Sequence, residues 1–426
     1  MKKEVKTLIR PLVGSVEIPA DKSLSHRAVM FASLAKGKSV IKNFSKGADC
    51  KSTVEVCRAL GVDIEYVDDK TLKICSSGCF MPPNEPLYCG NSGTTMRLMS
   101  GVLAGQSFNS ILTGDESLSK RPMKRVITPL SLMGADIVSS ENKAPLHINA
   151  RELTAISYNS ELSSAQVKSC VLLAGLFADG KTVFSEPAKS RDHTERMLKS
   201  MGAKIVVDEN IVTIEKSQLS PIDFTVPGDI SSAAFFMVAA LIVPNSDIVL
   251  KNVGVNPTRT GIINVIKRMG GDIELINERE VLGESVADIH IRYSELKSTT
   301  ICGEEIPTLI DEIPVIAVLA TQANGQTIIK DAQDLRNKEA DRIATVANAL
   351  NSLGADVTET PDGFVINGKT KLVGGCELET YHDHRLAMSY YVAGLISKSP
   401  IQINGFEWTA ISFPEFEDLM KELGGE

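Results

Sequence analysis

The chain has 426 residues, 43% hydrophobic and 23% charged, with a net charge of −8. That length suits two or three domains with sizeable cores. The acidic balance argues against a general affinity for nucleic acid or an anionic membrane, and one Trp among 5% aromatics argues against a base-stacking surface. Basic groups that hold an anion must then be gathered locally. The eight Cys form no CxxC pair, and the closest two, Cys75 and Cys79, have no His at zinc spacing, so no metal site is expected and a reducing cytoplasm fits. Met1-Lys-Lys-Glu-Val5 lacks the apolar run of a secretory signal, which agrees with a cytoplasmic location.

In chain order, Pro19-Ala-Asp-Lys-Ser-Leu-Ser-His-Arg27 comes first and offers Lys22, Ser23, Ser25, His26 and Arg27. A helix following Lys22 puts Ser23 and Arg27 on one face; alone, a segment this short reads first as a solvated helix start. Cys89-Gly-Asn-Ser-Gly-Thr-Thr-Met-Arg97 is a Gly-rich turn leading into a helical run, where backbone N–H groups and the helix N-terminus attract an anion. Arg97 lies in the first turns. Leu112-Thr-Gly-Asp-Glu-Ser-Leu-Ser-Lys-Arg-Pro122 delivers Arg121 from a polar loop, with Pro122 at a helix start. Two guanidinium groups beside a glycine turn point to a phosphate or carboxylate substrate. Pro129 should kink the next helix or delay its start. Ser163-Ser-Ala-Gln-Val-Lys168, directly before the apolar Cys170–Phe177, suits a hydroxyl-rich or phosphorylated ligand, or is a plain N-cap. Ser190-Arg-Asp-His-Thr194 has the same two readings.

Val226-Pro-Gly-Asp229 marks a boundary. The apolar run Ala233–Val243 is too short to span a bilayer and reads as a buried helix. Pro307-Thr-Leu-Ile-Asp-Glu-Ile-Pro314 sets Asp311 and Glu312 in apolar surroundings, either as caps or poised for proton transfer. In Leu335-Arg-Asn-Lys-Glu-Ala-Asp-Arg342, Glu339 and Arg342 face one ligand or form a salt-bridged helix face. Tyr381-His-Asp-His-Arg-Leu-Ala-Met388 repeats the logic of Arg97 at Arg385, and its two His are poorly spaced for a metal.

One pattern recurs six times: an amphipathic helix, Gly, a small residue or Val, then usually an acid. The copies are Leu60-Gly-Val-Asp63, Met133-Gly-Ala-Asp136, Met201-Gly-Ala-Lys204, Met269-Gly-Gly-Asp272, Leu353-Gly-Ala-Asp356 and Leu423-Gly-Gly-Glu426. The spacing, about seventy residues, suits a small α/β unit rather than a solenoid. Ile262, Ile263, Ile266 and Met269 show the 3.6 period, as do Ile343, Val346, Ala347, Leu350 and Leu353. Each glycine is expected to end its helix in the left-handed conformation, with strands following at Asp63–Val67, Asp136–Val138, Lys204–Val207 and Asp272–Ile276. Six units divide into two groups of three. The reading is a pair of similar α/β domains, 20–227 and 1–19 plus 228–426, with the N-terminal strand in the second and a substrate site in the cleft between them.

On Asp21-Lys-Ser-Leu-Ser-His-Arg27, Gly90-Asn-Ser-Gly-Thr-Thr-Met-Arg97, Gly114-Asp-Glu-Ser-Leu-Ser-Lys-Arg-Pro122, Ser164-Ala-Gln-Val-Lys168, Lys338-Glu339 with Asp341-Arg342, and Asp383-His-Arg-Leu-Ala-Met388, the chain resembles the 5-enolpyruvylshikimate-3-phosphate synthase family over essentially its full length. The resemblance implies two similar domains, each of three βαβαββ units around buried helices, an inside-out α/β barrel. It implies transfer of the enolpyruvyl group of phosphoenolpyruvate to the 5-hydroxyl of shikimate 3-phosphate, with release of phosphate, in the shikimate pathway to chorismate and the aromatic amino acids. By the resemblance, Lys22, Gly93, Thr94, Arg121, Gln166, Arg342 and Arg385 hold phosphoenolpyruvate. Lys22, Ser23, Arg27, Ser164, Gln166, Arg191, Asp311 and Lys338 hold shikimate 3-phosphate, and Arg97 supports the glycine turn. Addition followed by elimination needs a base, an acid and negative charge for the cation developing at C2. Asp311, Glu339 and Lys22 are the candidates, with their roles undivided. No cofactor, metal, nucleic acid or membrane is implied, and a monomer is expected.

Departures are local. Many members carry a Lys where Thr409-Ala-Ile-Ser-Phe-Pro414 has Ile411; another branch lacks it too, and Ala165 and Arg191 match that branch. Asn337 and Ala340 also depart. Gly93 is the small residue of glyphosate-sensitive members, so inhibition by glyphosate is expected. One alternative is the sister enolpyruvyl transferase acting on UDP-N-acetylglucosamine, whose loop before Arg-Pro carries a Cys or sometimes an Asp; here there is no Cys, but there is Asp115. The other is a non-catalytic anion-binding relative, which the presence of Asp311 and Glu339 opposes.

Overall fold

The computed structural model describes residues 1–424; Gly425 and Glu426, the end of the sixth pattern, lie outside the described residues. All six pattern glycines sit in the left-handed region, from +83° at Gly270 to +107° at Gly424, where a Cβ would be strained. They close the helices Ala48–Ala59, Lys124–Leu132, His193–Ser200, Gly261–Arg268, Arg342–Ser352 and Phe416–Glu422. Strands follow the first five, at Asp63–Tyr66, Asp136–Val138, Ile205–Asp208, Asp272–Val281 and Asp356–Thr360. The helix before Gly134 starts at Lys124, ahead of Pro129, and runs through it to Leu132. The proline therefore does not delay the start; it forgoes one backbone hydrogen bond within the helix.

Six sheets form among the described residues, and the five four-stranded ones share one plan. A short edge strand runs parallel to a second strand, and an antiparallel hairpin completes the sheet. Leu87–Tyr88 lies parallel to Ser110–Thr113, which pairs antiparallel with Leu146–Asn149, itself antiparallel to Asp136–Val138. Two sheets exchange edge strands. Val13–Glu17, which precedes the Lys22–Leu34 helix, pairs with Asp247–Gly254, while Asp223–Thr225, which precedes the Ile230–Ile242 helix, pairs with Gly37–Lys42. In the sixth sheet the antiparallel neighbour of Ile401–Asn404 is the N-terminal strand Lys2–Val5.

Two compact units result. The first comprises Ala20–Val226 with Glu280–Glu284; the second comprises Met1–Pro19, Pro227–Arg279 and the chain from Ser285 onward. Pro227 therefore groups with the second unit. The hairpin tip 280–284 groups with the first because Arg196 Nη1 donates to the Gly283 carbonyl at 2.8 Å and His193 Nδ1 meets Glu284 at 2.9 Å. Each unit has its own apolar core. The leading helices are its most deeply buried elements: Ile230–Ile242 and Ile313–Thr321 are buried at every residue. The second helices are amphipathic; Gly261–Arg268 buries Ile262, Ile263, Val265 and Ile266 and exposes its basic end. Among the described residues no helix is long and apolar enough to cross a membrane.

Candidate active site

Most of the side chains singled out from the sequence sit at or just before helix starts, so backbone N–H groups and the helix dipole accompany them. In the first unit Lys22 opens the Lys22–Leu34 helix, which Asp21 caps by accepting from the Leu24 N–H at 2.8 Å. Lys22 Nζ pairs with Asp49 Oδ2 at 2.9 Å. Arg27, one turn on, is buried, and each of its nitrogens donates to a protein group: Nε to Thr194 Oγ1 (2.7 Å), Nη1 to the Ser23 carbonyl (3.1 Å) and Nη2 to Ser169 Oγ (2.9 Å). Burial lowers its pKa to about 10 against the pull of Glu195 and Asp21, so it stays a cation at neutral pH.

Ser92 caps the Gly93–Ala104 helix. Arg97 Nη1 donates to Gln166 Oε1 at 2.6 Å, and Gln166 Nε2 donates to Thr94 Oγ1 at 3.0 Å, which ties this helix to Ala165–Gly175. A Cβ on Gly93 would lie 2.9 Å from Arg97 Nη1 and 3.7 Å from Arg121 Nη1. Two guanidinium groups thus converge on a residue without a side chain. Arg121 follows a short helix, Glu116–Lys120, instead of ending an open loop, and the next helix starts at Lys124, beyond Pro122. Arg121 Nη2 donates to Asn91 Oδ1 at 2.7 Å, and Asn91 Nδ2 donates to Asp115 Oδ2 at 2.8 Å.

Ser164 stands at the N-cap position of Ala165–Gly175 but makes no capping hydrogen bond, so the plain N-cap reading does not hold. The Ser190–Arg191 turn rests on a buried ion cluster: Lys168 Nζ meets Glu186 (2.7 Å), Glu195 (2.8 Å) and the Ser190 carbonyl (3.2 Å). Burial raises the Glu195 pKa in spite of Lys168.

In the second unit Asp311 gathers cations: Lys338 Nζ and Arg342 Nη1 at 3.5 Å, Arg385 Nη2 at 3.9 Å. The N-cap position of Ile313–Thr321 is held by Glu312, without a capping bond. Arg342 is buried, with Nε on Asp383 Oδ2 (2.7 Å) and Nη2 on Glu339 Oε2 (2.8 Å). Glu339 lies in a turn before the Arg342–Ser352 helix, so the helix-face reading of this charged run fails. Its side chain is 32% exposed. Desolvation would raise its pKa, but the charges of Arg342 and His384 outweigh this and hold it well below the usual carboxylate range.

Several partners escaped the sequence reading: Asp49, Asn91, Thr194, Asp383 as the counter-ion of Arg342, and a network in which Arg259 Nη2 meets Asp229 (3.2 Å) and Ser231 (2.7 Å) while Ser231 donates to Glu312. Aligning the repeats would have found Arg259, which precedes its second helix as Arg121 and Arg191 precede theirs.

The fold is shared with the enolpyruvyl transferase NikO from Streptomyces tendae (TM-score 0.80, 17% identity, covering 99% of this chain and 97% of that one). A solved EPSP synthase from Acinetobacter baumannii matches with a TM-score of 0.91 at 43% identity, covering 99% and 98%. Proteins named 3-phosphoshikimate 1-carboxyvinyltransferase from Geotalea uraniireducens (51% identical over 414 residues, 96% of each chain) and Bacillus licheniformis (50% over 419 residues, 97% of this chain and 98% of that one) are similar throughout. Residues 6–420 match the family EPSP synthase (3-phosphoshikimate 1-carboxyvinyltransferase), and the chain belongs to that family.

Proposed function

We propose that the chain transfers the enolpyruvyl group of phosphoenolpyruvate to the 5-hydroxyl of shikimate 3-phosphate and releases phosphate, a step of the shikimate pathway of aromatic amino acid biosynthesis. The observation that carries this reading is the convergence of Arg97 and Arg121 on Gly93 at a helix N-terminus. With no side chain there, a small anion can reach guanidinium and backbone donors together. Lys22, Gly93, Thr94, Arg121, Gln166, Arg342 and Arg385 are assigned to phosphoenolpyruvate. Lys22, Ser23, Arg27, Ser164, Gln166, Arg191, Asp311 and Lys338 are assigned to shikimate 3-phosphate. The eight unpaired Cys support a reducing cytoplasm as the site of action.

In the addition, the 5-hydroxyl oxygen bonds to C2, its proton passes to a base, and C3 takes up a proton. In the elimination, C3 gives up a proton as the C2–O bond to phosphate breaks. Glu339, ionised at neutral pH, suits stabilising the cation at C2 and taking the proton from C3 in the second step. Asp311 is the base for the hydroxyl. Lys22, an ammonium paired with Asp49, is the proton donor.

The nucleotide-sugar alternative loses support at Asp115, its possible loop acid. Asp115 Oδ1 accepts from the Leu118 N–H at 2.8 Å and Oδ2 from Asn91, so it is spent on structure. Phosphate release, measured with shikimate 3-phosphate and with UDP-N-acetylglucosamine in parallel, tests the reading. Release with shikimate 3-phosphate alone is expected; release with the nucleotide sugar alone, or with neither, overturns it.

A further inference from the structure

Behind the candidate site in the first unit runs a chain of buried polar side chains that the mechanism above does not use. His26 Nδ1 lies 2.6 Å from Thr53 Oγ1, Thr53 Oγ1 lies 2.7 Å from Thr95 Oγ1, and Thr95 Oγ1 lies 2.7 Å from Ser92 Oγ. All four residues have no exposed surface. Ser92 Oγ also accepts the Thr95 N–H at 3.1 Å as the cap of the helix that presents Gly93 and Thr94. Lys22 and His26 are one turn apart on the Lys22–Leu34 helix, and their partners Asp49 and Thr53 are one turn apart on the Ala48–Ala59 helix. The two helices are therefore clamped by two rungs, and the second rung continues to the Gly93 helix.

The direction of the chain follows from its last link, in which Thr95 Oγ1 donates to Ser92 Oγ. Each hydroxyl has one proton, so Thr95 accepts from Thr53, and Thr53 accepts from His26 Nδ1–H. The neutral imidazole then carries its proton on Nδ1. Nε2, buried and without a hydrogen-bond partner, is left as a bare lone pair, a cheaper orphan than a buried N–H. Burial lowers the His26 pKa to about 3, so the imidazole remains neutral near neutral pH.

We propose that His26 is a positioning residue. Through Thr53, Thr95 and Ser92 it sets the first turn of the Gly93 helix against the first turn of the Lys22 helix, so that Lys22, Gly93 and Thr94 meet the anion in one arrangement. This rests on the reading that phosphoenolpyruvate binds there. The arrangement is hydrogen-bonded at each step, and directional bonds fix its geometry more narrowly than non-directional apolar burial does.

Thr53→Val keeps the side-chain shape and removes both of its hydrogen bonds. It is expected to raise KM for phosphoenolpyruvate roughly ten- to a hundredfold, with a smaller change in the dissociation constant of shikimate 3-phosphate, which shares only Lys22 and Ser23 of the two positioned turns. Thr53→Ser, and His26→Asn with its amide N–H in place of Nδ1–H, should stay near the parent. The ¹⁵N spectrum of the His26 ring should show the Nδ1–H tautomer, and it reads the chain without turnover. An Nε2–H tautomer, or a Thr53→Val enzyme that melts earlier but keeps its KM, overturns the positioning role. A parent protein without turnover on these substrates instead overturns the functional reading on which the proposal rests.

Discussion

Glu339 and His26 show how two titratable side chains are set in opposite ways. Glu339 is held ionised by Arg342 and His384. Replacing it by Gln keeps its size and removes the charge, so turnover should fall about a hundredfold or more while shikimate 3-phosphate still binds. Steady-state kinetics beside a binding titration check this, and near-normal turnover would remove Glu339 from the acid–base chemistry. His26 is held neutral by burial, with a pKa of about 3 against 6.5 for the free side chain. Between those values the unfolded chain takes up a proton that the folded chain refuses. The contribution of His26 to stability is therefore complete above about pH 6.5 and lost as pH falls towards the folded value. Urea midpoints of the parent should drop more steeply between pH 6.5 and 4 than those of His26→Asn; equal slopes would mean that the folded ring takes up the proton. The motif residues Lys22, Arg97, Arg121 and Arg342 were legible as cations beside helix starts. That Asp49, Gln166, Asn91 and Asp383 are their partners was not, because each lies 27 to 69 residues away and no local pattern pairs it with its cation.

Two glycines of the Gly93–Ala104 helix separate packing from function. A Cβ at Gly101 would fall 2.1 Å from the Cys170 carbonyl oxygen, on the backbone of the neighbouring Ala165–Gly175 helix. Backbone cannot yield as a side chain can, so Gly101→Ala should cost about 3 kcal/mol, visible as an earlier urea transition; an unchanged transition would mean that the helices separate freely. At Gly93 the nearest atom is the tip of Arg97, which can swing aside. Gly93→Ala should therefore keep its stability, while KM for phosphoenolpyruvate rises about tenfold and inhibition by glyphosate weakens further. Inhibition curves at fixed substrate check this; unaltered inhibition would place the inhibitor elsewhere. The helices themselves were readable from the 3.6 period and the glycine stops. The short Glu116–Lys120 helix was not, and Pro129 left open where its own helix starts, because tertiary contacts override a weak local signal.

For the whole chain, the edge-strand exchange makes the two units unequal as fragments. Every strand of the first unit's three sheets lies within residues 20–226, whereas the second unit takes Lys2–Val5 and Val13–Glu17 from the N-terminal segment. A fragment of residues 20–226 should fold cooperatively on its own. A fragment from 227 onward should need a peptide of residues 1–19, because without it two sheets expose unpaired edges. Circular dichroism melting of each fragment, with and without the peptide, checks this; a well-folded second fragment without the peptide would make the exchanged strands dispensable. By themselves the residues determined the α/β class, the six repeats, the leading buried helices and the charged turns, because each depends on periodicity, glycine conformation and charge within a few neighbours. The tertiary structure alone decided which carboxylate holds which cation, that two guanidinium groups meet over Gly93, and that the hairpin tip at 280–284 belongs with the first unit. These follow from contacts between segments far apart in the chain, which no local pattern encodes.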